Sequence, residues 1–231
     1  MSVLKNIDIP SSLKTMALEL IKEAILSQRL KPGEIYNEKR LAEELGISKT
    51  PVREALLELS AKGFIVFLPR RGVRVAKMTE KDIRDLYEVR RALEMAIIRC
   101  IVPKINKRML DKINAIHKKG DKTFKDKDNL GYLRIDREFH FALSSLTENP
   151  FMVNSLENIR DLIDWMGARA LVKQSRMSEV QKEHEDLIRK IGDKDLEGAV
   201  QMIEQHIRIT EENVLEQLKK EEMRLRKKSN R

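Results

Sequence analysis

Cysteine is nearly missing from this sequence: Cys100 stands alone among 231 residues. A single thiol excludes an intramolecular disulfide and a multi-cysteine zinc cluster, and it suits a reducing cytosol. Cys100 itself reads as a small apolar residue on a helix. Aromatic residues are also scarce, 4% against 36% charged, which is the profile of helices with charged faces rather than of a β-sandwich. No stretch approaches the ~20 apolar residues of a membrane span, and the N-terminus lacks the apolar core of ~7 to 15 residues that a secretory signal carries. There is no internal repeat and no low-complexity linker. The expected location is the cytoplasm, with no membrane partner.

What is abundant is positive charge. The formal net charge is +9, and the excess lies in residues 1–78 and in the last 18 residues, leaving the middle of the chain neutral. A polyanionic partner is therefore worth testing, although charge alone identifies none. The length accommodates about two domains of ~100 to 200 residues each.

Along the first 78 residues the pattern is helical and then β-like. Ser11 or Ser12 can cap a helix whose apolar residues Leu13, Met16, Ala17, Leu20, Ile21, Ala24 and Ile25 follow three-and-four spacing, and "LKPGE" stops it. Asn37 opens a short helix carrying Leu41, Ala42 and Leu45. Gly46 ends that helix, and Ser48 caps a third running to about Lys62. Two helices joined by so tight a turn form a helix-turn-helix. The runs "FIVFL" and "VRVAKM", separated by "PRRG", predict a hairpin wing.

A recognition helix enters the major groove N-terminus first, so its first turn must carry hydrogen-bonding or cationic side chains. "SKTPVREAL" supplies Ser48 and Thr50 for phosphates or bases. Lys49 and Arg53 share one face, from which an arginine can grip a guanine edge through two hydrogen bonds. Pro51 costs little in a first turn. Lys39 and Arg40 on the preceding helix are placed for backbone phosphate, and Arg70 and Arg71 at the hairpin tip for a minor groove. The stretch "LKPGEIYNEKRLAEELGISKTPVREALLELSAKGFIVFLPRRGVRV" resembles the winged-helix domain of the GntR family of bacterial regulators, without a gap from about Lys14 to Val75. By that resemblance Lys39, Lys49, Thr50, Arg53 and the Gly72 wing turn fall on the family's DNA-contacting positions, with lysine at 39 and 49 where many members have arginine.

From Thr79, which forms a capping pair with Asp82, only helices are expected, broken near Pro103, Gly120, "TENP" and "IGDKD". On the third of these helices Asp136, Phe139, His140, Leu143 and Leu146 make one stripe, so an acid and an imidazole share the inward face. The next-to-last helix carries Val180, His184, Leu187, Ile188 and Ile191, and the last carries Ala199, Ile203, His206, Ile207, Thr210 and Val214. With the turn between them near Asp193, His184 and His206 differ by only about 6 Å along the axis of an antiparallel pair. One cation would satisfy a carboxylate and three imidazoles together, and an Asp/His₃ set suits zinc, nickel or another divalent first-row metal. His117, beside "KKGDK", reads as an ordinary histidine.

Arg90 lies on the inward stripe Ile83, Leu86, Tyr87, Arg90, Leu93, Ile97, with Glu94 one turn on. An organic acid could bridge the metal and Arg90, or Arg90 could serve an internal ion pair with Glu94. The motifs "YEVRRALE", "DREFHFAL" and "ENPF" are similar to those of the FCD ligand-binding domain of the FadR subfamily, over about Thr79 to Glu222. That resemblance implies a bundle of the six-helix kind, with Asp136, His140, His184 and His206 as metal ligands, and it argues against an acyl-CoA effector.

The expectation is therefore a mainly α chain: a winged helix-turn-helix over 1–78, a helical effector- and metal-binding, dimerising domain over 79–222, and a basic tail over 223–231 that could add a DNA contact. By family likeness it would be a homodimeric repressor that binds a palindromic DNA operator and answers to a small carboxylate at the metal. Two other readings stay open. In one, a metalloenzyme, the ion activates water and the winged helix is appended, although no free general base stands in these stripes. In the other, a constitutive DNA binder, the metal only stabilises the bundle.

Overall fold

The computed structural model describes residues 12–125, 129–170 and 174–229. The chain divides into two compact units, Met1–Lys77 and Met78–Arg231.

In the first unit Ser12 caps α1 (Leu13–Leu26), its hydroxyl accepting from the Thr15 amide at 3.2 Å, and Ser11 lies outside the described residues. The buried arc of α1 is Ala17, Leu18, Ile21 and Ile25, which packs on α3 (Lys49–Ala61). Leu13, Met16 and Leu20, expected on that arc, face outward at about half exposure, because Leu18 takes the inward place beside Ala17 and Ile21. Asn37 caps α2 (Glu38–Leu45) through the amides of Lys39 and Arg40, and Gly46 ends it in the left-handed region at φ 67°. Val52, Ala55, Leu56 and Leu59 of α3 are fully buried, with Phe64, Val73 and Val75 closing the same core.

The wing holds one strand more than the sequence predicts. β1 (Ile35–Tyr36) pairs antiparallel with β3 (Gly72–Val75), which pairs on its other side with β2 (Ile65–Leu68), giving the order β1-β3-β2. Pro69 followed by Arg70 at φ 59° is the residue order of a type II turn, closed by the Arg71 amide on the Leu68 carbonyl at 3.1 Å. Gly72, at φ 110°, lies so close to β1 that a Cβ would sit 2.2 Å from the Tyr36 carbonyl oxygen. Gly72→Ala is therefore expected to cost this unit roughly 2 kcal/mol or more, from backbone strain plus overlap. A thermal melt should show the loss, and an unshifted transition would mean that the wing tolerates a side chain there.

In the second unit Thr79 and Asp82 form a reciprocal capping box on α4 (Glu80–Ile101). A 3-10 turn at Val102–Lys104, holding Pro103, leads to α5 (Lys107–Lys125), followed by α6 (Asn129–Ser145), α7 (Pro150–Ala170), α8 (Gln174–Gly192) and α9 (Leu196–Ser229). Within "TENP", Asn149 caps α7 through the Phe151 and Met152 amides while Pro150 takes the first helical position. The break expected at Gly120 is not there: α5 runs through it to Lys125. The glycine instead admits the Gln181 side chain of α8, whose Oε1 would lie 2.7 Å from a Cβ at that position. Helix α4 packs on α9, α5 on α6 and α8, and α8 on α9, around a core that includes Ile97, Ile98, Phe139, Leu187 and Ile203. The backbone of the basic tail continues α9 to Ser229; Asn230 and Arg231 lie outside the described residues.

Candidate metal centre and basic face

Spacing of four residues on α6 puts Asp136 and His140 on one inward face, and α8 and α9 bring His184 and His206 to the same point. One ligand atom from each of the four lies within 4.8 Å of every other. The three imidazoles are 1–3% exposed. Asp136 Oδ1 is 3.7 Å from His140 Nε2 and 3.6 Å from His184 Nε2, too long for hydrogen bonds. His184 Nε2 is buried with no hydrogen-bond partner at all. Such an orphan is rare in a folded protein, and a divalent cation among these donors would satisfy it.

The surroundings fix which nitrogen faces the centre. His206 Nδ1 donates to Glu183 Oε2 at 2.7 Å, and His140 Nδ1 donates to Glu94 Oε2 at 2.5 Å. In His206 the Nε2 lone pair is then left for the centre, and in His140 it accepts from Arg90 Nη2, a bond that a cation held as in carboxylate–histidine–metal arrangements would replace. Phe139 stacks on His184 with centroids 4.0 Å apart. Burial pushes the His184 imidazole well below the ordinary histidine range, helped by its neighbour His206, and burial lowers His206 too, against the pull of Glu183. Neutral imidazole is the form that binds metal. For Asp136, burial works to raise the carboxyl, but Arg160, His140 and His184 together hold it well below the usual range. Glu94 behaves alike, burial being outweighed by His140 and Arg90.

Three supporting residues carry no mark in the sequence reading: Arg160, which pairs with Asp136 and Asp164; Arg176, which pairs with Glu183; and Glu183 itself. Arg90 makes the expected ion pair with Glu94. Its Nε pairs with Glu94 at 2.7 Å, its Nη2 reaches His140 Nε2 at 3.2 Å, and its guanidinium lies over the Tyr87 ring. It also lines a cavity of about 30 Å³ together with Tyr87, Asp136, Arg160, Arg176 and His206. His117 bonds the Gln181 carbonyl at 3.0 Å, apart from this set, and Cys100 is an exposed free thiol.

On the first unit, Ser48, Lys49 and Thr50 are exposed at the start of α3, and the Ser48 hydroxyl makes no cap bond to the helix. Arg53 donates through Nη1 to both oxygens of Glu38, at 3.0 and 2.9 Å, and lies over the Phe67 ring. Lys39 pairs with Glu43 at 3.7 Å and Arg40 with Glu44 at 3.0 Å, both on the exposed face of α2. Pairs so exposed contribute little and open easily. Among the described residues Lys49, Arg70 and Arg71 have no ion pair. None of the described helices is long and apolar enough to cross a membrane.

Comparison with known proteins agrees with this division. The family described as "Bacterial regulatory proteins, gntR family" matches residues 13–75, and the FCD domain family matches residues 85–209. The HTH-type transcriptional regulator YdhC of Bacillus subtilis (strain 168) is 25% identical over 205 residues, covering 87% of this chain and 90% of that protein. Among solved structures, Escherichia coli McbR/YncC superposes with a TM-score of 0.76 at 22% identity, covering 90% of this chain and all of that one. The metal-free FCD domain of TM0439 superposes at 0.54 and 24% identity, over 63% of this chain and 99% of that one.

Proposed function

This chain belongs to the gntR family of bacterial regulatory proteins, with a C-terminal FCD domain, and from that premise we propose that it is a repressor released from DNA by a small carboxylate bound at a divalent metal. It is a DNA-binding transcriptional regulator, and the metalloenzyme reading falls because the gntR family match and the curated relatives are transcriptional regulators. The DNA-binding part takes residues 1–78, the effector and dimerisation part 79–222, with 223–231 as a basic tail. It acts in the cytoplasm, where its operator is.

The observation that carries the metal part is the convergence of Asp136, His140, His184 and His206, with one buried nitrogen left without a partner. Zinc or nickel suits this donor set. The ion, once bound, supplies a positive centre that a carboxylate can join, provided its geometry leaves an open position. Glu94 and Glu183 hold the imidazoles of His140 and His206 in the ligating tautomer, Arg160 fixes Asp136, and Arg90, whose Nη2 would be released from His140 Nε2 by a bound ion, would meet the anion. Two copies presenting Ser48, Lys49, Thr50 and Arg53 to successive major grooves, with Lys39, Arg40, Arg70, Arg71 and the Gly72 turn on the backbone and minor groove, would require a palindrome. A change in the bundle that altered the spacing of the two heads would break that match.

The test is a gel shift on an operator selected from random duplex DNA. Adding a panel of short organic acids to zinc-loaded protein should weaken binding about tenfold or more for at least one acid, a coupling of ordinary size. EDTA should abolish that response. Operator affinity unmoved by every acid and by EDTA would leave only a constitutive binder with a structural metal.

A further inference from the structure

The orphaned nitrogen of His184 is accounted for by a metal, but two more buried polar groups nearby are not. The Tyr87 hydroxyl and Arg160 Nη1 have no hydrogen-bond partner, although their residues are 0% and 3% exposed. Both residues line the cavity that also touches Asp136, Arg90 and His206. Arg160 is pinned there: Nε donates to Asp164 Oδ1 at 2.9 Å and Nη2 to Asp136 Oδ2, so the guanidinium cannot turn to hide its remaining N–H groups. Tyr87 is held under the Arg90 guanidinium, 5.6 Å from its ring centroid.

The chemistry of the two groups limits what could satisfy them. Guanidinium Nη1 only donates, and a phenol hydroxyl can donate to an oxygen placed between them. A carboxylate oxygen accepts from both at once and matches the positive charge of the guanidinium. The cavity, at about 30 Å³, admits a group of few atoms. Because Arg160 touches the metal ligand Asp136 through one nitrogen and offers the adjacent one, only a short spacer separates this position from the ion's.

We propose that Tyr87 and Arg160 form a second carboxylate subsite beside the metal, so that the effector is a short dicarboxylate with one acid group at the ion and the other on Arg160 Nη1 and the Tyr87 hydroxyl. This rests on the reading of the bundle as an effector site. It names the class of effector and two residues that select it.

Isothermal titration calorimetry on the zinc-loaded full chain tests it, with malonate against propionate and succinate against butyrate. The diacid of at least one pair is expected to bind about tenfold tighter or more, the effect of a charged hydrogen bond in a buried site. Tyr87→Phe, which leaves the ring in place, should reduce that preference about fivefold. Arg160→Lys, which keeps a cation against Asp136 and Asp164 but loses the second nitrogen, should remove most of it in protein whose zinc content is measured alongside. Equal binding of monoacid and diacid, or a full preference retained in Tyr87→Phe, overturns the subsite while the effector reading stands. Heat from neither class of acid overturns the effector reading and the subsite with it.

Discussion

Zinc is expected to be missing, after dialysis against a chelator, from protein in which Asp136 and His140 are both replaced by alanine, while the native chain keeps one ion. The two residues are half of the proposed ligand set, and α6 supplies both. His184 and His206 alone would hold the ion at least about 100-fold more weakly, since loss of outer partners by itself costs 10- to 100-fold at such sites. Stability should fall as well. Arg160 would lose the Asp136 carboxylate and Glu94 the His140 imidazole, in surroundings where both charges are buried. Asp136→Asn separates the two effects, because it keeps the volume and removes only the anionic ligand. Undiminished stoichiometric zinc in the double variant would refute the assignment of the centre.

The second large effect is expected at the other end of the chain. Arg53→Ala should weaken binding to the selected operator by about 10- to 100-fold while changing binding to random duplex much less, as loss of a two-bond base contact does. In the DNA-free protein Arg53 is steered by Glu38 and by the Phe67 ring. The Glu38 pair is half exposed on the arginine side and gives way at little cost. Glu38→Gln should therefore leave operator affinity within a few-fold of native, and fluorescence anisotropy at two salt concentrations would compare both variants. A uniform loss on specific and random DNA would move Arg53 from base reading to phosphate contact.

Much of this was legible because it depends on residues close in sequence. Caps at Ser12 and Asn37 act within three residues, and the stripes that brought Asp136, His140, His184 and His206 inward are set by helical periodicity alone. What escaped depends on distance along the chain. β1 is two residues long and exists because β3, nearly forty residues later, offers it an edge. Gly120 looks like a helix stop until the Gln181 side chain across the interface explains why the position must be bare. Arg160 sits in "LENIRDLIDW", where charged and apolar residues are mixed and no pattern marks it as inward. Its burial is affordable only because Asp136 and Asp164 neutralise it, one from another helix. Leu13, Met16 and Leu20 fitted an inward stripe equally well, and only the position of α3 chose between two overlapping arcs.

The chain's one thiol, Cys100, cannot bridge it to itself. Residues on α6, α8 and α9 nonetheless meet at one point after long excursions of sequence. An ion bound there closes loops that the unfolded polymer would leave open, as a covalent bridge does. It differs in being reversible and indifferent to thiol reductants. With the proposed ion, the rigidity of the bundle would be set by free metal concentration rather than by redox potential.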